Sequence, residues 1–242
     1  MKFKTKILAS TAFLAVFLAS PALAIDGLTA NGQFTTDYVL RGITQTANRP
    51  AVQGGLDYDT GLGITVGTWV SSLDFGDDTP LELDLYGAYN FKLGPVSASV
   101  GGIGYIYPSS GGFGPYNYLE LTGTLGYDFG FAAWSAKAYY SPFTMPVGFL
   151  DIKGVHPETE YWLTTGVAVP VMPWLAISGN VGYEGYTGVG TTNYTEWDVG
   201  FTLTYDKYAL DMRYIDTDKH LSGGPWFATG PFYVATFTFK FP

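Results

Sequence analysis

Ten charged residues define the chemistry open to this sequence: Asp37, Arg41, Glu82, Asp84, Glu120, Glu160, Glu196, Asp198, Asp211 and Arg213. Several of the carboxylates alternate with apolar neighbours, as in Leu81-Glu82-Leu83-Asp84-Leu85, Leu119-Glu120-Leu121 and Glu196-Trp197-Asp198-Val199. On a β-strand successive side chains point to opposite faces, so each such segment has one apolar face and one charged face. Burying the charged face in a dry core is costly. A water-filled interior removes that cost, and rings of carboxylates lining it favour cations over anions. The same charges allow a second outcome, in which salt bridges across the wall close the interior.

Catalysis has weaker support. Asp151, His156 and Glu158, or Asp216, Asp218 and His220, have the residue types of a hydrolytic cluster at a loop rim. Solvated loop polarity is the commoner origin of such groupings. With two histidines, no cysteine and no His-x-x-x-His spacing, the chain lacks a metal signature. Gly111-Gly112 and Gly223-Gly224 do not lead into helices and so form no phosphate cradle. The sequence therefore predicts a protein that is not an enzyme, with no catalytic, metal or cofactor site.

The elements that must position the charges are strands. Twelve candidates recur, at roughly 28–41, 50–59, 63–73, 81–92, 96–107, 117–128, 131–141, 158–169, 173–184, 193–206, 208–216 and 231–241. Short connections (59–62, 93–95, 129–130, 170–172, 206–207) alternate with longer ones (42–49, 74–80, 108–116, 142–157, 185–192, 217–230). This alternation predicts an all-β fold, an antiparallel transmembrane β-barrel with short periplasmic turns and longer external loops. A soluble sandwich has no reason to alternate its connections so regularly. Gly101-Gly102 interrupts the alternation of the fifth strand and suggests a bulge there.

Lys2, Lys4 and Lys6, an apolar run from Ile7 to Leu18 and the Ala22-Leu23-Ala24 end form a secretory leader, cleaved after Ala24. The barrel domain is then 25–242, reaching the outer membrane after export. Loss of three lysines leaves nine Lys and Arg against twenty-one Asp and Glu, a formal charge of −12, which argues against binding nucleic acid. The nineteen Tyr, seventeen Phe and six Trp need a buried or lipid-facing home. Tyr140, Tyr161, Tyr183, Trp197, Tyr214 and Tyr233 fall near one end of the apolar faces, and Tyr58, Tyr89, Phe91, Tyr127, Tyr205, Phe239 and Phe241 near the other, as two interfacial girdles would.

The segment Phe34 to Tyr58, with Asp37-Tyr38, Arg41-Gly42 and Gln53-Gly54-Gly55, resembles the opening of the TorF-family porins, and Gly67-Thr68-Trp69 and Leu73-Asp74-Phe75 continue the likeness. The resemblance implies an outer-membrane protein of Gram-negative bacteria acting as a porin, and brings no catalytic residues with it. Its partners would be outer-membrane lipid, the barrel-insertion machinery and small hydrophilic solutes. Insertion is signalled by a terminal aromatic, whereas here Phe241 is followed by Pro242. The sequence thus predicts a narrow, cation-preferring passive channel, with inward Trp69, Tyr86 and Trp162 narrowing it. The alternatives are a non-transporting barrel that displays its loops as a binding surface and, third, a loop-rim hydrolase.

Overall fold

The structure is a computed structural model that describes residues 25–109, 112–113, 116–142, 156–189, 191–221 and 228–241. The leader, Met1 to Ala24, lies outside them. Sixteen strands follow in chain order: β1 (Leu28–Thr35), β2 (Val39–Leu40), β3 (Ile43–Thr44), β4 (Ala51–Asp59), β5 (Ile64–Ser72), β6 (Leu81–Leu93), β7 (Val96–Ile106), β8 (Pro108–Ser109), β9 (Gly112–Phe113), β10 (Tyr118–Asp128), β11 (Ala133–Ser141), β12 (His156–Met172), β13 (Leu175–Val189), β14 (Tyr194–Tyr205), β15 (Tyr208–Thr217) and β16 (Phe232–Phe241). Twelve of them close a barrel in which β1 pairs with β16 on one side and β4 on the other; β2–β3 and β8–β9 are small hairpins outside that ring. Every neighbouring pair is antiparallel, and closure leaves no sheet edge. Among the described residues there is no helix.

Period-two alternation fixes the wall. Leu85, Leu121, Leu163 and Val199 point outward and are about half exposed (50–54 %), whereas Glu82 and Glu120, one residue away from the same apolar faces, have no exposed surface. Such a shell of exposed leucine and valine is stable only against lipid. Rings gather at both ends of this apolar band, Tyr161 beside Tyr183 and Tyr214 beside Tyr233 at one, Tyr89 beside Phe91 and Phe239 beside Phe241 at the other. The first barrel strand begins and the last one finishes at the end with the short turns, since Asp59 N donates to Gly27 O and Lys240 N to Lys207 O.

Three expectations need correction. The first strand ends at Thr35 rather than near residue 41, because the chain turns inward there. Gly101 and Gly102 carry no bulge: β7 keeps continuous register with β6 and β10. The glycine instead permits a close approach, since a Cβ at Gly101 would lie 2.3 Å from Gly87 O. The register shifts fall in the β12–β13 pair, at Pro157/Thr159 and Pro170/Met172. Proline has no N–H for the ladder, which accounts for both. Pro170-Val171-Met172 accordingly continues the strand, and the turn is Pro173-Trp174.

Candidate functional site

The site begins with the two-residue turn Arg41-Gly42 between β2 and β3. Both residues have positive φ, 50° and 75°, as a tight type I′ hairpin requires. This hairpin, residues 36–49, leaves the wall between β1 and β4 and turns into the bore. Its base is fixed by Asp37, whose carboxylate accepts hydrogen bonds from Thr44 Oγ1 (2.7 Å) and Thr46 Oγ1 (2.9 Å). Burial raises the Asp37 pKa against the pull of those donors. Thr44 N also donates to Ala228 O, and Ile43 bridges to Thr229 from the β15–β16 connection.

The tip reaches the far wall. Counted round the ring, β11 and β12 are diametrically opposite the β1–β4 seam, and there Arg41 meets its partners. Its guanidinium donates to both oxygens of Glu120 on β10 (2.6 and 2.7 Å), to Glu160 on β12 (2.8 Å) and to Glu184 on β13 (3.4 Å). The same group lies over the rings of Trp162 (4.8 Å) and Tyr139 (5.2 Å). Burial alone would lower the Arg41 pKa, but Glu120, Glu184 and Glu160 outweigh it and hold the charge firmly in place. Tyr194 OH donates to Arg41 O, and a Cβ at Gly42 would strike Thr217 Cγ2 at 2.4 Å, so the tip is packed against β14 and β15 as well.

Two apolar clusters flank the hairpin. On one side Tyr38 donates to Glu82 (2.7 Å) and packs edge-on against Trp69, next to Leu73, Phe75, Tyr105 and Tyr107. On the other side Ile43 and Tyr194 pack with Tyr186 and Leu221. The long-loop half of the interior is therefore filled around a charged strut. The short-turn half is different: inward Ala88, Ser99, Gly101 and Thr124 are small and partly exposed, so water reaches the wall.

The remaining candidates divide by position. Glu82 and Asp84 lie buried beneath the hairpin, and Glu196 is buried beside its tip. Arg213 binds Asp198 closely and Asp211 at 3.1 Å, while Asn180 donates to Asp198 (3.0 Å) and Thr202 to Asp211 (2.7 Å). Those polar groups form a second, mostly buried patch lower on the wall. Asp37 and Arg41, expected on the wall itself, are carried by the inserted hairpin. Tyr86 reaches Asp57 near the short turns (2.6 Å).

Two functional-looking side chains were not anticipated. Glu184 is fully buried beside Arg41, on a strand that continues into the expected loop at 185–192 as far as Val189. The alternation Asn180, Gly182, Glu184 against Val181, Tyr183 carried the signal. Lys137 faces inward opposite Thr124 and Thr164 and has no ion-pair partner among the described residues.

The described loop-rim residues each have a partner of their own. His220 Nδ1 contacts Gly230 O (2.7 Å), Asp216 accepts from Tyr214 OH (2.6 Å), and Asp218 accepts from Thr195 N (2.7 Å). Asp151 and the side chains of His156 and Glu158 lie outside the described residues. Among the described residues no group of acidic and histidine side chains is arranged to hold a metal ion.

An apolar exterior, a closed antiparallel ring and a charged interior define a transmembrane β-barrel of the outer-membrane type. The chain belongs to the family described as "Bacterial protein of unknown function (Gcw_chp)", whose profile matches residues 20–229. No curated protein matches it. Among solved structures it is similar to the COG4313 outer membrane channel from Pseudomonas putida F1, at 13 % identity over 91 % of this chain and 97 % of that one, with a TM-score of 0.57. It is also similar to the KdgM porin (11 % identity, 88 % and 99 % covered, TM-score 0.55) and to the KdgM porin in complex with disordered oligogalacturonate (9 % identity, 89 % and 99 % covered, TM-score 0.53). At such identities the likeness carries the fold.

Proposed function

We propose that this chain is a narrow outer-membrane channel for small hydrophilic solutes, constricted by the 36–49 hairpin and preferring cations. On this reading the leader ends at Ala24, the long loops face outward, and the TorF-family resemblance reflects a shared role. Pore lining would fall to Asp37, Arg41, Glu82, Asp84, Glu120, Glu160, Glu196, Asp198, Asp211 and Arg213. The observation that carries the reading is the half-barrel of small, polar, water-reached residues that leads from the short turns to a carboxylate-rich constriction. One solved neighbour is described with an acidic oligosaccharide bound, oligogalacturonate. The acid excess of this interior argues for solutes of the opposite charge. A second reading, a closed and non-transporting barrel, is favoured by the burial of Arg41 among three carboxylates.

A planar bilayer with a salt gradient separates the two. Fixed charges act over roughly 8–10 Å at moderate salt, a scale comparable with a twelve-stranded bore. The expected result is a reversal potential of cationic sign that moves toward zero when Glu82→Gln, Asp84→Asn, Glu196→Gln and Asp198→Asn are combined. Anion preference would refute the selectivity, and absence of conductance would favour the closed reading.

A further inference from the structure

The geometry points to a binding site for organic cations bearing a guanidinium group, formed by Glu120, Glu160, Glu184, Tyr139 and Trp162 and occupied in this conformation by the chain's own Arg41. This inference rests on the channel reading above and names the class of solute that the constriction selects.

Three observations carry it. The first is the completeness of the receptor: three carboxylates from three strands converge on one guanidinium, Nη2 donating to both oxygens of Glu120 and Nη1 to Glu160 and Glu184, while two aromatic faces approach within 4.8 and 5.2 Å. A planar fork of donors spread over several carboxylates, combined with aromatic faces, is how guanidinium is distinguished from a simple metal ion. The second is that Arg41 does not satisfy it. Three carboxylates face one cation, and Glu184 Oε1, on a side chain with no exposed surface, receives no N–H among the described residues and has only the Glu160 carboxyl group as its hydrogen-bonding neighbour. The third is that the occupant is a tethered arm and not part of the wall. Arg41 belongs to the turn of a two-stranded hairpin rather than to the wall, whereas all five receptor residues belong to the barrel. A solute cation arriving from the water-reached half meets a site of the right shape with a tethered competitor in it, and its binding releases the strut that fills the bore.

Tethered competition sets the size of the effect. If the arm vacates the site for only about 1–10 % of the time, apparent affinity for a free cation falls roughly 10- to 100-fold below that of the vacated site. The test is calorimetric titration of the full-length mature barrel in detergent with L-arginine, and with L-citrulline as its uncharged isostere. Arg41→Gln should bind L-arginine more tightly than wild type by that factor and should not bind L-citrulline. A variant that binds arginine no more tightly, or that binds citrulline equally well, overturns the proposal. Should Arg41→Gln fail to fold, a disulfide lock decides the matter. A Cβ at Gly42 lies 3.9 Å from Thr217 Cβ, inside the roughly 3.5–4.5 Å range of a disulfide, and the chain has no other cysteine. In Gly42→Cys/Thr217→Cys the oxidised form should not bind L-arginine and the reduced form should. Equal titrations of the two forms, or silence in both, refute the site. Vesicle efflux separates this from the channel reading: saturable binding without passage of L-arginine sinks the channel and leaves the site, whereas passage indifferent to the lock leaves the channel and sinks the site.

Discussion

Arg41 concentrates the energetics of the interior in one side chain. A buried ion pair contributes little net stability, because desolvation offsets attraction, but removal of one partner leaves charges with neither water nor counter-ion. Arg41→Ala strands Glu120 and Glu184, both fully buried, and is expected to cost about 3–5 kcal/mol in urea unfolding from lipid vesicles. Arg49 supplies the control. Its pair with Asp74 is equally short at 2.6 Å, yet its side chain is 71 % exposed, so Arg49→Ala should cost no more than about 1 kcal/mol. Comparable losses would mean that the Arg41 cluster is hydrated and the bore open to water around it. Lysine is no substitute at position 41, because a single ammonium nitrogen cannot stand at once for Nη2 on Glu120 and for Nη1 on Glu160 and Glu184.

At the scale of elements, the strands and the hairpin differ in how far the sequence discloses them. Leu121 and Thr122 are adjacent on β10, the first half exposed on the outer face and the second inward opposite Tyr139. Leu121→Arg should destabilise by roughly 2–4 kcal/mol in lipid and Thr122→Arg by much less, checked by the same unfolding measurement. The period-two pattern that makes this contrast is a local property, legible in the order of residues Leu119-Glu120-Leu121 alone. The hairpin is not local in that sense. Val39-Leu40 extends the alternation of β1, so the segment reads as more strand, and only Gly42, suited to positive φ, marks a turn. Nothing in the sequence says that the turn crosses the bore, because that depends on which loop is short of partners and which wall carries Glu160 and Glu184. Lys137 was hidden for a related reason: β11 alternates alanine and aromatics weakly, so its inward face carries no strong signature.

At the scale of the whole molecule, the barrel has two unlike ends, and this asymmetry gives the last prediction. Connections at 60–63, 94–95, 129–132, 173–174 and 206–207 are two to four residues long and share one end with the start of β1 and the finish of β16. The opposite end carries the inserted hairpin, Phe75 packed beside Tyr107 and Tyr116, and the Ser141 to His156 connection. On the proposed reading the barrel inserts from the periplasm, which would leave the end with the short turns there and carry the long connections across. An epitope inserted between Ser141 and His156 should therefore be labelled by antibody on intact cells, whereas one inserted at Gly94-Pro95 should be labelled only after the outer membrane is permeabilised. The second insertion falls in a turn exposed on both sides, at Leu93 and Pro95, so tolerance of the insert is expected and loss of the barrel is not. Labelling of the Gly94-Pro95 epitope on intact cells would invert the molecule. The hairpin would then guard the periplasmic mouth, and a solute entering from outside would meet the small-residue half and the Arg213 patch before the Arg41 strut.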